Sequence, residues 1–244
     1  MKIQGIIFDI NGTLIDILTN EGHEEIYRAI SHFLTYRGIY MNRWEVKDAY
    51  FRIMDSQRTA GGEKYPEFDA VGVWREFLRR YLPESDQPLI SSDTEARFLA
   101  EMYRGISRFR LTLYPDVNAV LDELCPCYKM AAVSDGQSAW AMPELRAVGL
   151  ASYFDPVIVS GDYGFRKPDP RLFEAALTDM ALKPEQVIFV GNDMYRDVFG
   201  AGCLGMKTVF FSSNQGRKQM DGVSPDYIIH RFAELRQAID FFRR

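Results

Sequence analysis

The chain has 244 residues, of which 47% are hydrophobic, and it carries a formal net charge of −5 at pH 7. A chain of this length can bury one large core, or a core domain together with a smaller insert. The acidic balance provides no basic footprint for nucleic acid, so we expect no nucleic-acid partner. Ordinary amounts of glycine, proline and charged residues also exclude a disordered or low-complexity protein.

The cysteines and the first residues of the chain bear on its cellular location. Cys125, Cys127 and Cys203 form a sparse, odd-numbered set, which argues against a disulfide framework and for a reducing compartment. The apolar run near the N-terminus is too short for a signal peptide or a membrane span. We therefore expect a cytoplasmic protein without a membrane partner, and the sequence predicts no particular oligomeric state.

The predicted elements begin with an apolar run at residues 3–10 that is typical of a buried strand. Residues 17–108 show helical periodicity instead, which predicts a helical insert after this strand. Short apolar runs then return at residues 129–135, 155–162, 186–193 and 207–211. Helical patterns separate these later runs. The alternation predicts an α/β fold with a Rossmann-like parallel sheet core, helices on both of its faces, and an additional α-helical domain.

Polar residues follow three of the predicted strands at the point where each apolar run ends. Asp9 follows the first run, and Ser134 and Asp193 follow two of the later ones. Open α/β sheets bind ligands outside the carboxyl ends of their strands. Because three strand ends carry such residues, the sequence predicts a functional site at this edge of the sheet.

Four ordered motifs resemble those of the haloacid dehalogenase superfamily. They are "FDINGTLID" at residues 8–16, "AAVSDG" at 131–136, "GFRKPDP" at 164–170 and "FVGNDMYRD" at 189–197. The first motif of that superfamily usually reads Asp-x-Asp-Gly-Thr. The resemblance implies an α/β core domain formed by residues 1–16 and 109–244. It also implies a helical cap domain formed by residues 17–108.

The resemblance further implies a role for each motif residue in a phosphohydrolase that acts on a small phosphorylated molecule. Asp9 would be the nucleophile and form an aspartyl-phosphate intermediate. Lys167 would offset negative charge between the nucleophile and the phosphate. Mg²⁺ would be held by Asp9, Asp193 and the backbone carbonyl of Asn11. The remaining implied roles are phosphate binding by Thr13, Ser134, Asp135 and Lys167, and support of the site by Asn192 and Asp197.

Asn11 departs from the superfamily pattern at the residue that is otherwise an acid/base aspartate. An amide can donate and accept hydrogen bonds, but it cannot transfer the proton that the leaving oxygen needs. Loss of a positioned acid/base group costs roughly 3–5 kcal/mol of barrier. The chain could therefore act on substrates with good leaving groups, or could bind a phosphorylated ligand with little turnover. Asn11 could also be an engineered or a deamidating residue.

Two further alternatives remain open in the sequence. A 2-haloacid dehalogenase is less favoured. The first motif of those enzymes resembles Asp-x-Tyr-Gly-Thr, and this chain has no tyrosine at position 11. It also keeps Asp193 and Asp197, which a metal-free enzyme has less reason to hold. Within the insert, Arg52, Arg58 and Lys64 flank the segment "RTAGGEKYP". These cations could contact a distal anion of a substrate, or could form an ordinary solvated basic face.

Overall fold

The computed structural model describes residues 2–82 and 93–243. Its strands are β1 (Gly5–Phe8), β2 (Ile15–Thr19), β3 (Arg108–Leu113), β4 (Lys129–Ser134), β5 (Val157–Val159), β6 (Val187–Gly191), β7 (Lys207–Phe211) and β8 (Tyr227–Ile229). Its α-helices are α1 (Glu24–Tyr36), α2 (Arg43–Ala60), α3 (Ala70–Tyr81), α4 (Thr94–Ser107), α5 (Val117–Leu124), α6 (Ser138–Ala147), α7 (Pro170–Met180), α8 (Gly200–Cys203) and α9 (Leu235–Arg243).

Six strands form one parallel sheet in the order β5-β4-β1-β6-β7-β8. The order places β1 in the middle, between β4 and β6, although these two strands are far from it in sequence. Side chains alternate across β1, where Ile6 and Phe8 join the apolar cluster on one face and Ile7 joins the cluster on the other. Helices α5 and α9 pack on the first face and α7 packs on the second, which confirms the predicted fold class.

The helical segment has an apolar cluster of its own, to which α1–α4 all contribute. Its centre is aromatic: the ring of Tyr50 lies 4.9 Å from that of Trp74 and 4.7 Å from that of Tyr103. Strand β2 precedes these helices in the chain and β3 follows them. The two strands pair antiparallel, with Ile15 opposite Leu113. The helices therefore leave and rejoin the sheet through adjacent strands, next to the loop that carries Asp9.

Two of the contacts that fix the helical segment to the rest of the chain involve α6 and the loop before α7. At the first, Trp140 of α6 inserts into the aromatic cluster, where its Nε1 donates a 2.9 Å hydrogen bond to the Ala100 carbonyl and its ring stacks on Tyr103. At the second, Pro66 and Phe165 form an antiparallel bridge between two loops. Both contacts hold the helices over the carboxyl ends of the strands. Among the described residues, no helix is both long and apolar enough to cross a bilayer.

Candidate active site

Asp9 occupies the first position after β1, where the chain turns sharply. Its N–H donates to the Val190 carbonyl of β6, and Thr13 and Leu14 donate their N–H groups back to the Ile10 carbonyl. Gly12 has a φ of 89°, and a Cβ there would lie 2.3 Å from the Asn192 side chain. Glycine is therefore required at this position by its backbone conformation and by the close approach of the β6 loop.

Lys167 forms the centre of the buried charges at this edge of the sheet. Its Nζ lies 2.7 Å from Asp9 Oδ1, 2.7 Å from Asp197 Oδ1 and 3.1 Å from the Val133 carbonyl oxygen. Burial lowers the pKa of this ammonium, but the carboxylates of Asp197 and Asp9 outweigh burial and hold its pKa above the usual value. Lys167 is therefore a permanent cation beside the predicted nucleophile.

Asp197 lies in a π-helical turn, Met194–Phe199, that directly precedes α8. Its Oδ2 accepts hydrogen bonds from the N–H groups of Asn192 and Asp193 while its Oδ1 faces Lys167. Burial raises the pKa of Asp197 to about 7, although the Lys167 ammonium acts in the opposite direction. Asp197 thus joins Lys167 to the loop that follows β6 and does not reach the open part of the site.

The side chains predicted to bind phosphate surround Asp9 from two strands. Thr13 Oγ1 donates to Asp9 Oδ2 at 2.8 Å, and Ser134 is buried at the end of β4. Asp135 Oδ1 accepts the N–H of Lys167 at 2.9 Å, so this carboxylate positions the backbone of the lysine. Its other oxygen accepts no hydrogen bond from the described residues and lies 3.6 Å from Arg166.

Asp193 and Asn192 lie in the loop after β6, and their side chains have different hydrogen-bond partners. Asp193 Oδ1 accepts from the N–H groups of Tyr195 and Arg196, and Oδ2 accepts from the Arg217 N–H and the Arg196 guanidinium. Burial raises the pKa of this carboxyl, but those donors outweigh burial and hold the pKa below its usual value. Asn192, in contrast, turns its amide toward the first loop, where its Oδ1 lies 3.2 Å from Thr13 Oγ1.

The donor set is suitable for a hard cation such as Mg²⁺. Within residues 2–82 and 93–243 no group of three His, Cys, Asp or Glu side chains is arranged to hold a metal. Mg²⁺ usually keeps several waters and takes only one or two protein carboxylates together with substrate phosphate, so a three-acid cage is not required. Under this scheme the protein ligands would be the Asp9 carboxylate, the Asn11 backbone carbonyl and the Asp193 carboxylate. Asp193 would have to exchange one of its four hydrogen bonds for the metal.

Asn11 faces a cavity of about 400 Å³ between the sheet edge and the helical segment. Its Oδ1 is buried and accepts no hydrogen bond from any residue of the described ranges, so an acceptor is available there to a bound molecule. Ser134 and Asp135 line the same cavity from the sheet, and Arg58 and Glu67 line it from the helical segment. The cavity therefore joins Asn11, Ser134 and Asp135 to side chains of the insert.

Sequence reasoning missed several charged residues of this cavity, among them Glu67, Arg166 and Arg196. Arg196 pairs with Asp193 at 3.0 Å. Its position between the two aspartates of "NDMYRD" could have identified it as a residue of the site. Arg166 directly precedes the predicted lysine in "FRKPDP". Glu67 gave no signal, because its place in the site depends on contact between loops almost 100 residues apart in the chain, such as its 2.9 Å hydrogen bond from Ser160 Oγ.

Comparisons with known proteins show the family and the fold of the chain. A profile of the haloacid dehalogenase-like hydrolases matches residues 3–205. The chain is 32% identical over 174 residues to phosphoserine phosphatase from Thermus thermophilus, which covers 70% of this chain and 68% of that protein. It is 26% identical over 243 residues to glyceraldehyde 3-phosphate phosphatase from Methanopyrus kandleri, which covers 97% of each. The crystal structure of a 2-haloacid dehalogenase from Pseudomonas syringae matches 98% of this chain and 99% of that one, with a TM-score of 0.69 and 21% identity, and this likeness concerns the fold.

Proposed function

We propose that this chain, which belongs to the haloacid dehalogenase-like hydrolases, is a Mg²⁺-dependent phosphohydrolase that acts on a small phosphorylated metabolite. The observation that carries the proposal is the position of the Asp9 carboxylate at the carboxyl end of β1. Lys167 at 2.7 Å and Thr13 at 2.8 Å hold this carboxylate by hydrogen bonds. A fixed carboxylate beside a permanent cation can approach a phosphate dianion, which a carboxylate alone would repel. Phosphatase names among the relatives support the same reaction class.

The reaction proceeds in two displacements at phosphorus. In the first, an Asp9 oxygen bonds to phosphorus while the bond to the leaving oxygen breaks, and the leaving group departs with that electron pair. In the second, water attacks phosphorus while the bond from phosphorus to the Asp9 oxygen breaks, which frees the Asp9 carboxylate. The proton of the water leaves on the inorganic phosphate. Lys167 neutralises part of the charge in both steps. Thr13 and Ser134 would donate hydrogen bonds to phosphoryl oxygens once the substrate is bound.

Mg²⁺ would be held by Asp9, by the backbone carbonyl of Asn11 and by the Asp193 carboxylate, with Asn192 and Asp197 supporting the turn. When bound, the cation supplies further positive charge for the phosphate. The helices α1–α4 act as a cap over the site in this proposal. The proposed core is residues 1–16 and 109–244, and the proposed cap is residues 17–108; the boundaries fall within β2 and at the first residue of β3.

Asn11 makes the second displacement the slower one. Its unpaired Oδ1 can orient a water molecule, but the amide cannot take the proton of that water. An aryl leaving group needs little acid assistance, so the first displacement is less affected. Hydrolysis of the aspartyl-phosphate should therefore be slower than its formation.

The test is pre-steady-state kinetics with an aryl phosphate and Mg²⁺. The wild type should release a burst of phenol that approaches one per active site, followed by slow turnover and a phosphate adduct on Asp9 in the intact mass. Asn11→Asp should abolish the burst and raise steady-state turnover by roughly 10²- to 10⁴-fold, the usual contribution of a general base.

Asp9→Asn is the blank for this experiment, because it removes the nucleophile and retains the shape of the side chain. If the wild type is as inert as Asp9→Asn across sugar, nucleotide, acyl and aryl phosphates, the protein binds phosphorylated ligands without turnover and the enzyme proposal fails. Linear kinetics without an adduct, with Asn11→Asp no faster than the parent, would show that Asn11 does not limit dephosphorylation.

A further inference from the structure

A second cavity, of about 530 Å³, opens beside the catalytic one and shares Arg58, Arg166 and Arg196 with it. Its described lining residues include no acidic side chain. Five of them are cations: Arg58, Lys64, Arg166, Lys167 and Arg196. The shared arginines place positive charge between the catalytic residues and the outer opening.

The guanidiniums of Arg58 and Arg166 have unused hydrogen-bond donors. Neither side chain donates a hydrogen bond to any residue in the described part of the chain. The nearest carboxylate oxygens lie 4.0 Å from Arg58, in Glu67, and 3.6 Å from Arg166, in Asp135. A guanidinium carries five N–H donors in a fixed fork that matches a carboxylate or phosphate. These two side chains therefore have donor capacity available for a bound anion.

The Arg58 guanidinium and the backbone of Arg166 are held in place before any ligand binds. Arg58, in the last turn of α2, packs over the Phe68 ring with its guanidinium carbon 4.8 Å from the ring centroid. The Arg166 backbone N–H donates to the Tyr65 carbonyl at 2.9 Å, which fixes the loop that carries this side chain. Their side chains remain 32% and 37% exposed. An anion would thus meet one packed guanidinium from the helical segment and one arginine carried by a fixed loop of the sheet domain.

The nearby acids offset only part of this charge. Glu67 and Asp135 are the carboxylates close to these two arginines, and neither accepts a hydrogen bond from them. Glu67 instead accepts from the Ser160 hydroxyl and from the Phe68 N–H, and Asp135 accepts from the Lys167 N–H. Lys64 at the rim adds a further cation. An entering anion therefore needs to break no ion-pair hydrogen bond.

We propose that Arg58 and Arg166, with Lys64 at the rim, form a second anion subsite. The preferred substrates are then phosphate esters whose leaving group carries its own carboxylate or phosphate. This inference rests on the proposed function, because it places the transferred phosphoryl group at Asp9 and the second anion toward the outer cavity. The subsite selects among phosphorylated metabolites by the charge of the part that departs.

The test compares matched substrates that differ only in the second anion. D-3-Phosphoglycerate and glycerol 3-phosphate differ by a carboxylate, and propane-1,3-diol bisphosphate and its monophosphate differ by a phosphate. The wild type should show a kcat/KM roughly 10- to 100-fold higher for the anionic member of at least one pair, as expected for hydrogen bonds to a charged group. The pair that shows the preference identifies the second anion as carboxylate or phosphate.

Arg58→Met should reduce that preference to within about threefold, and Arg58→Lys should restore part of it, because a lysine keeps the charge but loses the fork. Arg52→Met is the matched control, since Arg52 is an exposed cation on the same helix outside both cavities. Absence of any preference in the wild type, or equal losses on both members of a pair in Arg58→Met, would overturn the subsite.

Failure of the proposed function gives a different result. If no substrate is turned over, calorimetry with Mg²⁺ decides the subsite by binding alone. Tighter binding of D-3-phosphoglycerate than of glycerol 3-phosphate, lost in Arg58→Met and retained in Arg52→Met, would support the subsite without catalysis. Equal binding of the two compounds to the wild type would contradict the proposed subsite.

Discussion

Replacing Lys167 by methionine tests how the buried charges at the sheet edge are balanced. Methionine keeps most of the volume of the side chain but removes the ammonium that lies 2.7 Å from both Asp9 and Asp197. Two buried carboxylates then face each other without their shared cation. Removing one partner of a buried ion pair costs about 3–5 kcal/mol, because an uncompensated charge is left behind.

The expected loss is large enough to measure by calorimetry. For a chain of 150–250 residues, 1 kcal/mol shifts the melting temperature by roughly 2–4 °C, so Lys167→Met should melt roughly 6–20 °C below the wild type. Lys183→Met is the matched control, because Lys183 is exposed and its side chain forms no ion pair in the described structure. It should melt within about 2 °C of the wild type.

A second variant separates charge from packing. Asp197→Asn added to Lys167→Met removes one of the two facing carboxylates and should recover part of the lost stability. If Lys167→Met melts within about 2 °C of the wild type, or if the double variant is the sum of the two single losses, the carboxylates do not depend on this lysine.

Three other outcomes follow from the same structure. Millimolar Mg²⁺ should raise the melting temperature of the wild type, because a cation relieves repulsion among the clustered carboxylates. The rise in melting temperature should be smaller in Asp9→Asn. Equal rises in the two proteins would exclude Asp9 as a ligand. Glu67→Gln should tighten D-3-phosphoglycerate binding by roughly fivefold, about 1 kcal/mol, because it removes the charge that offsets Arg58; calorimetry that finds weaker binding would contradict this. Trp140→Ala should lower the free energy of unfolding in urea by about 3–5 kcal/mol, with Trp140→Phe recovering most of it; a loss below 1 kcal/mol would show that α6 does not anchor the helical segment.

The sheet was predictable because its central strands are buried on both faces. Near-continuous apolar runs predicted β1, β4, β6 and β7, and strand β7 occupies the predicted residues 207–211. Strands β2 and β3 were missed because they are short, half-exposed and interrupted by polar residues, as in "RFRLTL". Their pairing spans almost 100 residues, so it is stabilised by tertiary packing that no local pattern contains.

The positions of the site residues along the chain could be predicted from the sequence, but the directions of their side chains could not. Residues at strand ends, such as Asp9 and Ser134, could be placed from the sequence because parallel strands end at one edge of the sheet. The direction of the side chains could not be placed. Asp193 accepts the N–H groups of Tyr195 and Arg196 in its own turn and that of Arg217 from the loop after β7. The π-helical turn directs Asp197 toward Lys167 through an extra residue per turn. Both depend on backbone hydrogen bonds that a motif does not record.

The loop around Asn11 separates the fold of the site from its chemistry. The turn is held by backbone hydrogen bonds to Ile10, by the positive φ of Gly12 and by the contact of Thr13 with Asp9. The Asn11 side chain takes part in none of these, and its oxygen accepts no hydrogen bond from the described residues. Asparagine and aspartate have nearly the same shape, so exchanging them leaves the turn unchanged. A difference in turnover between the two therefore reports proton transfer at this position, since the geometry that binds the phosphate is common to both.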